Sequence, residues 1–201
     1  MNVRLGELSS WGPVVVGVAY AAVVALGIAE AGLSDPMVDP ILAVMEGLSM
    51  AAALLVVILM AAVYGYAEPD RKLLGLIALS FVIIMAGLTS AVHFVALTAG
   101  RQTDFIAMKW PSNLYAVELL AWGVFLGLAL LFAAPVFAGS GLGAAARWSL
   151  AASGALCLAG TIGPLVGDMA LQRIGILGYG VGLPIASVAL ALVFRRDAKR
   201  K

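Results

Sequence analysis

The chain has 201 residues, of which 63% are hydrophobic and 11% are charged, and its mean hydropathy is +1.08. Soluble domains are about 45–50% apolar and about 25% charged, so this composition excludes an ordinary soluble domain and indicates an integral membrane protein. The net charge of +1, without a basic patch interleaved with aromatic residues, gives no indication of nucleic-acid binding. A single cysteine excludes an internal disulfide, and a single histidine excludes bis-histidine haem ligation within one chain.

Six apolar segments are separated by short polar connections. About 20 apolar residues suffice to cross a bilayer, so each segment is long enough to span it. We predict an all-α integral membrane protein in which a bundle of six transmembrane helices forms one domain over residues 1–201. The predicted spans are 9–31, 40–66, 73–99, 111–137, 147–167 and 174–194.

The first segment also ends in a pattern that a signal peptidase could recognise. Ala29-Glu30-Ala31 has small residues at the two critical positions. The apolar run is long for a signal peptide, however, and only Arg4 supplies a basic residue before it. These two features favour a retained first span over a cleaved leader.

The distribution of lysine and arginine predicts the orientation. Nine of the 12 basic residues lie on the side of the bundle that carries both termini, and the others are Arg101, Lys109 and Arg173 on the opposite side. Basic residues are enriched in cytoplasmic connections, so both termini are predicted to be cytoplasmic. The surrounding partner is then the lipid bilayer of a plasma membrane.

Three ionisable residues lie inside predicted spans at a common depth. Glu46, His93 and Glu118 each lie six or seven residues from the outer end of the second, third and fourth spans. At 1.5 Å per residue, each lies roughly 9–11 Å below that end. Ionisable groups are costly to expose to lipid, so we expect these three to face inward, to approach one another and to form at least one histidine–carboxylate pair.

Several other polar side chains extend this set. Ser90 precedes His93 by three residues, and Tyr115 and Trp122 flank Glu118 at helical spacing, so each pair shares a helix face. Glu30 and Asp168 lie near the outer ends of the first and fifth spans, where solvation is easier and a structural role is favoured. The candidate residues for ligand binding or a proton relay are therefore Glu46, His93, Glu118, Tyr115, Ser90, Trp122, Glu30 and Asp168.

A structural alternative exists for each central residue. His93 could be a neutral, hydrogen-bonded packing residue between helices. Glu46 and Glu118 could be protonated acids that donate to backbone carbonyls. Three such residues at one depth nevertheless favour a functional site, which is the usual interpretation of ionisable groups in membrane spans.

Two functions fit an outward-facing pocket of one histidine and several carboxylates. The first is a protein that binds or moves protons or a small cationic or amphipathic ligand, and the second is an intramembrane enzyme that performs acid–base chemistry on a lipophilic substrate. A structural or sensory subunit, or a homo-oligomer, is a further alternative. No metal site is predicted, because the H-x-x-x-H and E-x-x-H spacings are absent, and no phosphate-binding loop is present.

Three segments, SAVHFVALTAGRQ, LLFAAPVF and LQRIGILGY, resemble stretches of small bacterial multi-pass membrane proteins without assigned function. The resemblance covers about Glu46–Phe194. It implies a location in the bacterial inner membrane and identifies no functional residue.

The orientation can be tested by labelling introduced cysteines with a membrane-impermeant reagent in intact cells. We expect labelling of Thr103→Cys, in the predicted outer connection, and none of Lys199→Cys, in the cytoplasmic tail. The reverse pattern would contradict the predicted orientation.

Overall fold

The computed structural model describes residues 3–32, 39–102 and 110–199, so the connection that holds Thr103 and Lys109 lies outside the described residues. Within the described ranges every regular element is helical and none is a strand, which confirms the all-α fold class. The α-helices are α1 (Val3–Ala31), α2 (Ile41–Tyr66), α3 (Lys72–Leu97), α4 (Asn113–Leu119), α5 (Leu126–Ala133), α6 (Leu142–Gly160), α7 (Ile162–Val166), α8 (Met169–Ile176) and α9 (Leu183–Ala198). Short 3-10 helices occupy Pro69–Arg71, Ala99–Gln102 and Ala134–Val136, and π-helical turns occupy Leu120–Phe125 and Leu177–Gly182.

Among the described residues, six helical segments are long and apolar enough to cross a membrane, as predicted, and we number them first to sixth. They are Arg4–Glu30, Ile41–Tyr66, Pro69–Gln102, Asn113–Val136, Leu142–Val166 and Met169–Ala198. The fourth span combines α4 and α5, the fifth α6 and α7, and the sixth α8 and α9, with a π-helical turn inside the fourth and the sixth.

The helix boundaries differ from the predicted ones where polar residues continue a helix. The first span begins before residue 9, and the sixth extends at both ends beyond 174–194. The fifth begins at Leu142 rather than 147, because the glycine-rich break after the fourth span ends at Gly141, whose φ is +63°. Positive φ is accessible to glycine at little cost, so the chain turns there and a helix restarts at once.

The spans are arranged in a closed ring in which each packs against its neighbours in sequence. α1 contacts α2, α2 contacts α3, α3 contacts α5, α5 contacts α6, and α6 contacts α9. α9 returns to α1 and closes the ring. We call the end that carries both chain ends the terminal end, and the opposite end, where α1 and α3 finish and α2 and α4 begin, the site end.

An aromatic cluster of Tyr66, Phe137 and Phe194 fills the terminal end. The Tyr66 ring stacks on Phe137 with centroids 5.4 Å apart and meets the edge of Phe194 at 5.3 Å. The Tyr66 hydroxyl donates to Asp197 at 2.8 Å, so its polar atom is satisfied beside an otherwise apolar packing. Above it, the centre of the bundle is filled by fully buried aliphatic side chains such as Leu59 and Leu130.

The fourth and sixth spans lie unusually close to the fifth span, because small residues line their contacts with it. The Gly123-x-x-x-Gly127 and Gly178-x-x-x-Gly182 motifs of the fourth and sixth spans both pack against α6. A Cβ built on Gly178 would lie 2.7 Å from the Cys157 amide nitrogen and 2.8 Å from the Ser153 carbonyl oxygen. Backbones of membrane helices can approach this closely only where side chains are absent, so these glycines set the spacing of the fourth, fifth and sixth spans.

This packing can be tested with two glycines of the same π-helical turn. Gly178→Ala should lower the free energy of unfolding by about 1–3 kcal/mol, because the added methyl group overlaps backbone atoms that cannot move freely. Gly180→Ala is the matched control, since a Cβ there meets only a methyl group of Ile176 at 3.6 Å. Thermal unfolding in micelles measures both, and equal melting temperatures for the two variants would contradict the proposed packing.

Candidate functional site

Glu46 and His93 lie on the helix faces that carry the buried residues of α2 and α3. On α3 the buried positions include Val82, Met85, Thr89 and Val92, and His93 lies on that face, one turn after Thr89. On α2, Glu46 begins the buried face that continues through Ala53. The side chains therefore point into the ring because their neighbours three to seven residues away are apolar and face the interior.

His93 lies between two carboxylates. Its Nδ1 atom pairs with Oε2 of Glu46, and its Nε2 atom lies 2.8 Å from Oε1 of Glu118. The side chains of His93, Glu46 and Glu118 are 4%, 5% and 13% exposed. We call these three residues the triad; they join the second, third and fourth spans near the site end and confirm the predicted histidine–carboxylate pair.

The hydrogen bonds of the triad limit how protons can be distributed among its three side chains. A neutral imidazole has one N–H donor, so it can donate to only one ionised carboxylate, whereas a protonated imidazole donates from both nitrogens. Both nitrogens of His93 face carboxylate oxygens. Thus either His93 is cationic, or at least one of the two carboxyl groups is protonated and donates to it.

Two contacts position the helices that carry the triad. Asp39 forms an ion pair with Arg101 and also accepts from the Ala43 amide at 3.2 Å, so it caps α2 and ties its start to the end of the third span. Ser112 caps α4 by accepting from the Tyr115 amide at 3.2 Å. Both caps satisfy amides that a helix start leaves unpaired, and both precede a triad glutamate by less than two turns.

The second oxygen of Glu118, Oε2, is buried and has no hydrogen-bond partner among the described residues. Tyr115 lies within electrostatic range of Glu118, as its helical spacing predicts. Tyr20 of the first span interacts with Ser49 and faces Glu46 and Glu118. Sequence reasoning missed Tyr20, although a tyrosine hydroxyl in the middle of an apolar span is a signal that could have identified it.

Trp122 adjoins a second group of polar side chains. Its ring packs against Tyr179 with centroids 5.7 Å apart, and the Tyr179 hydroxyl accepts from Gln172 at 3.2 Å. Tyr179 and Gln172, also missed from the sequence, line a cavity of about 10 Å³ with Leu119 and Cys157. A cavity of this size has room for about one water molecule.

The remaining predicted residues lie outside the triad. Glu30 is exposed, and Asp168 is exposed and caps α8 by accepting from the Ala170 amide at 2.8 Å. Ser90 is half-buried one turn before His93. The roles favoured for Glu30 and Asp168 are therefore interfacial solvation and helix capping.

Among the described residues, no group of three or more His, Cys, Asp or Glu side chains has a geometry that could hold a metal ion. In the triad the physical reason is clear, since each imidazole nitrogen already faces a carboxylate and the two carboxylates lie on opposite sides of the ring. Neither nitrogen is free to ligate.

None of the family models, curated proteins and solved structures that were compared with this chain matches it. The resemblance to small bacterial multi-pass proteins therefore stays a prediction.

The triad should contribute strongly to stability. Replacing His93 by leucine leaves two buried carboxyl groups without their shared partner, and removing one member of a buried ion pair costs about 3–5 kcal/mol. We expect His93→Leu to lower the free energy of unfolding by that amount. Ser90→Ala, one turn earlier on the same helix, should change it by less than about 0.5 kcal/mol. Equilibrium unfolding in mixed micelles measures both, and a fully stable His93→Leu protein would show that the contact is dispensable.

Proposed function

We propose that this multi-pass membrane protein binds a proton or a small cation at the triad, which exchanges with the solution at the site end. The observation that carries the proposal is one buried imidazole shared by two buried carboxylates. We further place the protein in a bacterial inner membrane with both termini in the cytoplasm, on the basis of the resemblance and the distribution of basic residues.

The charge balance of the triad supports cation binding. A cationic His93 compensates one of the two ionised carboxylates, so the triad with both hydrogen bonds in place carries one net negative charge. A net charge is costly in a site that is nearly closed to water, because the low dielectric constant does not screen it. One further proton or monovalent cation removes that charge.

The available space favours a proton over a bulky ligand. His93 and Glu46 are almost completely buried, and the cavity beside Leu119 holds no more than about one water molecule. A proton needs no cavity of its own and can arrive through a transient water. A larger cationic or amphipathic ligand requires the bundle to open around Glu118.

The apolar packing of the other half favours exchange with one side only. Between the triad and Tyr66 the centre contains fully buried aliphatic residues, including Leu59, Met60 and Leu130. Such a layer offers no hydrogen-bonding path to a proton. It favours a one-sided binding site over a continuous channel.

Acid–base catalysis on a lipophilic substrate is less well supported. Both nitrogens of His93 are engaged by carboxylates, so the imidazole has no free atom with which to accept or donate a proton to a substrate. A general acid or base must come within hydrogen-bonding reach of the reacting group. Among the atoms of the triad, the unpartnered Oε2 of Glu118 could do so only after the bundle opens.

Proton uptake near neutrality tests the proposal directly. The chain has one histidine, and histidine is the side chain whose ordinary titration falls between pH 5 and 8. Acidifying the wild-type protein in nanodiscs from pH 8 to pH 5, with an indicator dye in weak buffer, should reveal proton uptake by the triad. Glu118→Gln should reduce that uptake by about one proton per chain, because it removes one of the three coupled groups.

Glu30→Gln is the matched control, since it makes the same chemical change at an exposed carboxylate of the first span. Its uptake in this pH range should equal that of the wild type, because Glu30 is exposed and lies outside the triad. Identical uptake by the wild type, Glu118→Gln and Glu46→Gln would contradict proton binding at the triad.

A further inference from the structure

We propose that Oε2 of Glu118 is the atom that takes up the exchangeable proton, and that Glu46 is a positioning residue that holds His93. This inference rests on the proposed function and assigns separate roles to two carboxylates of the same chemical type. It also identifies the ligand of the site as a proton rather than a metal ion or an organic cation.

The environments of the two carboxylates differ. Glu46 and His93 are both almost completely buried, whereas the Glu118 side chain is 13% exposed. Oε2 of Glu118 is nevertheless enclosed and receives no hydrogen bond from any described residue. An ionised carboxylate oxygen without a donor is the worst-solvated charge in the triad. Protonation therefore lowers the free energy of the triad most at that oxygen.

A proton at this atom leaves the rest of the triad intact. With His93 cationic, Nδ1 donates to Glu46 and Nε2 donates to Oε1 of Glu118. A proton that forms an O–H bond at Oε2 leaves Oε1 free to keep accepting from Nε2. Uptake therefore changes the net charge of the triad from −1 to zero and breaks no hydrogen bond, and release reverses the same step.

Among the residues that the structure describes, the ionisable groups around Glu118 contribute no second cation to compete for this role. His93 faces it from the third span, and Glu46 lies beyond His93 on the second. Tyr20 of the first span and Tyr115 of its own helix lie within electrostatic range of it. Tyr179 of the sixth span lies farther away, within range of the two other tyrosines. The phenols are neutral near neutral pH, so the charge of the triad is set by its own three members.

Glu118 also lies close to a helical turn that could change its geometry when Glu118 is protonated. The π-helical turn Leu120–Phe125 begins two residues after it and contacts both α3 and α6. π-helical turns inside α-helices are frequently found at functional sites. Glu46, by contrast, lies inside the regular helix α2.

Infrared difference spectroscopy distinguishes the two glutamates, since a protonated carboxyl group has a C=O stretching band that the carboxylate lacks. Spectra of the protein in lipid would be recorded between pH 8 and pH 5. The band of a buried carboxylic acid should grow on acidification of the wild type and be absent from Glu118→Gln. Glu46→Gln should keep the band and shift its midpoint, because a positioning residue changes how His93 is held but does not take up the proton itself.

Glu118→Asp provides a check that does not require the protein to tolerate the amide side chain introduced by Glu118→Gln. It keeps a carboxyl group one methylene farther from His93, so the band should persist with a changed frequency and midpoint. A band that survives in Glu118→Gln and is lost in Glu46→Gln would overturn the assignment of roles while leaving proton binding at the triad in place. The complete absence of a pH-dependent carboxylic-acid band in the wild type would overturn the assignment of the proton to Glu118. Only if the indicator dye also showed no proton uptake would the proposed function fail with it.

Discussion

The structure depends on one interaction, the sharing of His93 by two carboxylates inside an apolar bundle. In water two unit charges about 4 Å apart attract each other by about 1 kcal/mol. In a low-dielectric interior, both this attraction and the penalty for a missing partner are several times larger. The triad therefore determines how α2, α3 and α4 are rotated relative to one another, because any other rotation would expose at least one ionisable group to lipid.

The two ends of the ring are held in different ways. The site end relies on polar contacts, namely the triad, the Asp39–Arg101 ion pair and the cap at Ser112. The terminal half relies on buried aliphatic side chains and on the aromatic cluster of Tyr66, Phe137 and Phe194. The bundle is therefore held by polar contacts at one end and by apolar packing at the other.

The fifth span contributes no residue to the triad but gives the other helices their positions. Its small residues allow the fourth and sixth spans to approach closely, and each of these spans has a π-helical turn at that contact. Those turns place Trp122 against Tyr179 and bring Gln172 to the small cavity. The contact between Trp122 and Tyr179 thus depends on glycines that carry no chemistry themselves.

The sequence by itself determined the six spans and the common depth of Glu46, His93 and Glu118, because hydropathy and helical rise are local properties of the chain. Helical spacing likewise placed Tyr115 and Trp122 beside Glu118. Only the tertiary structure decided that His93 bridges both acids, that Tyr20 lies within electrostatic range of them, and that Glu30 and Asp168 stay exposed. Those relations depend on the rotation and order of helices around the ring, which are set by close packing between segments far apart in sequence.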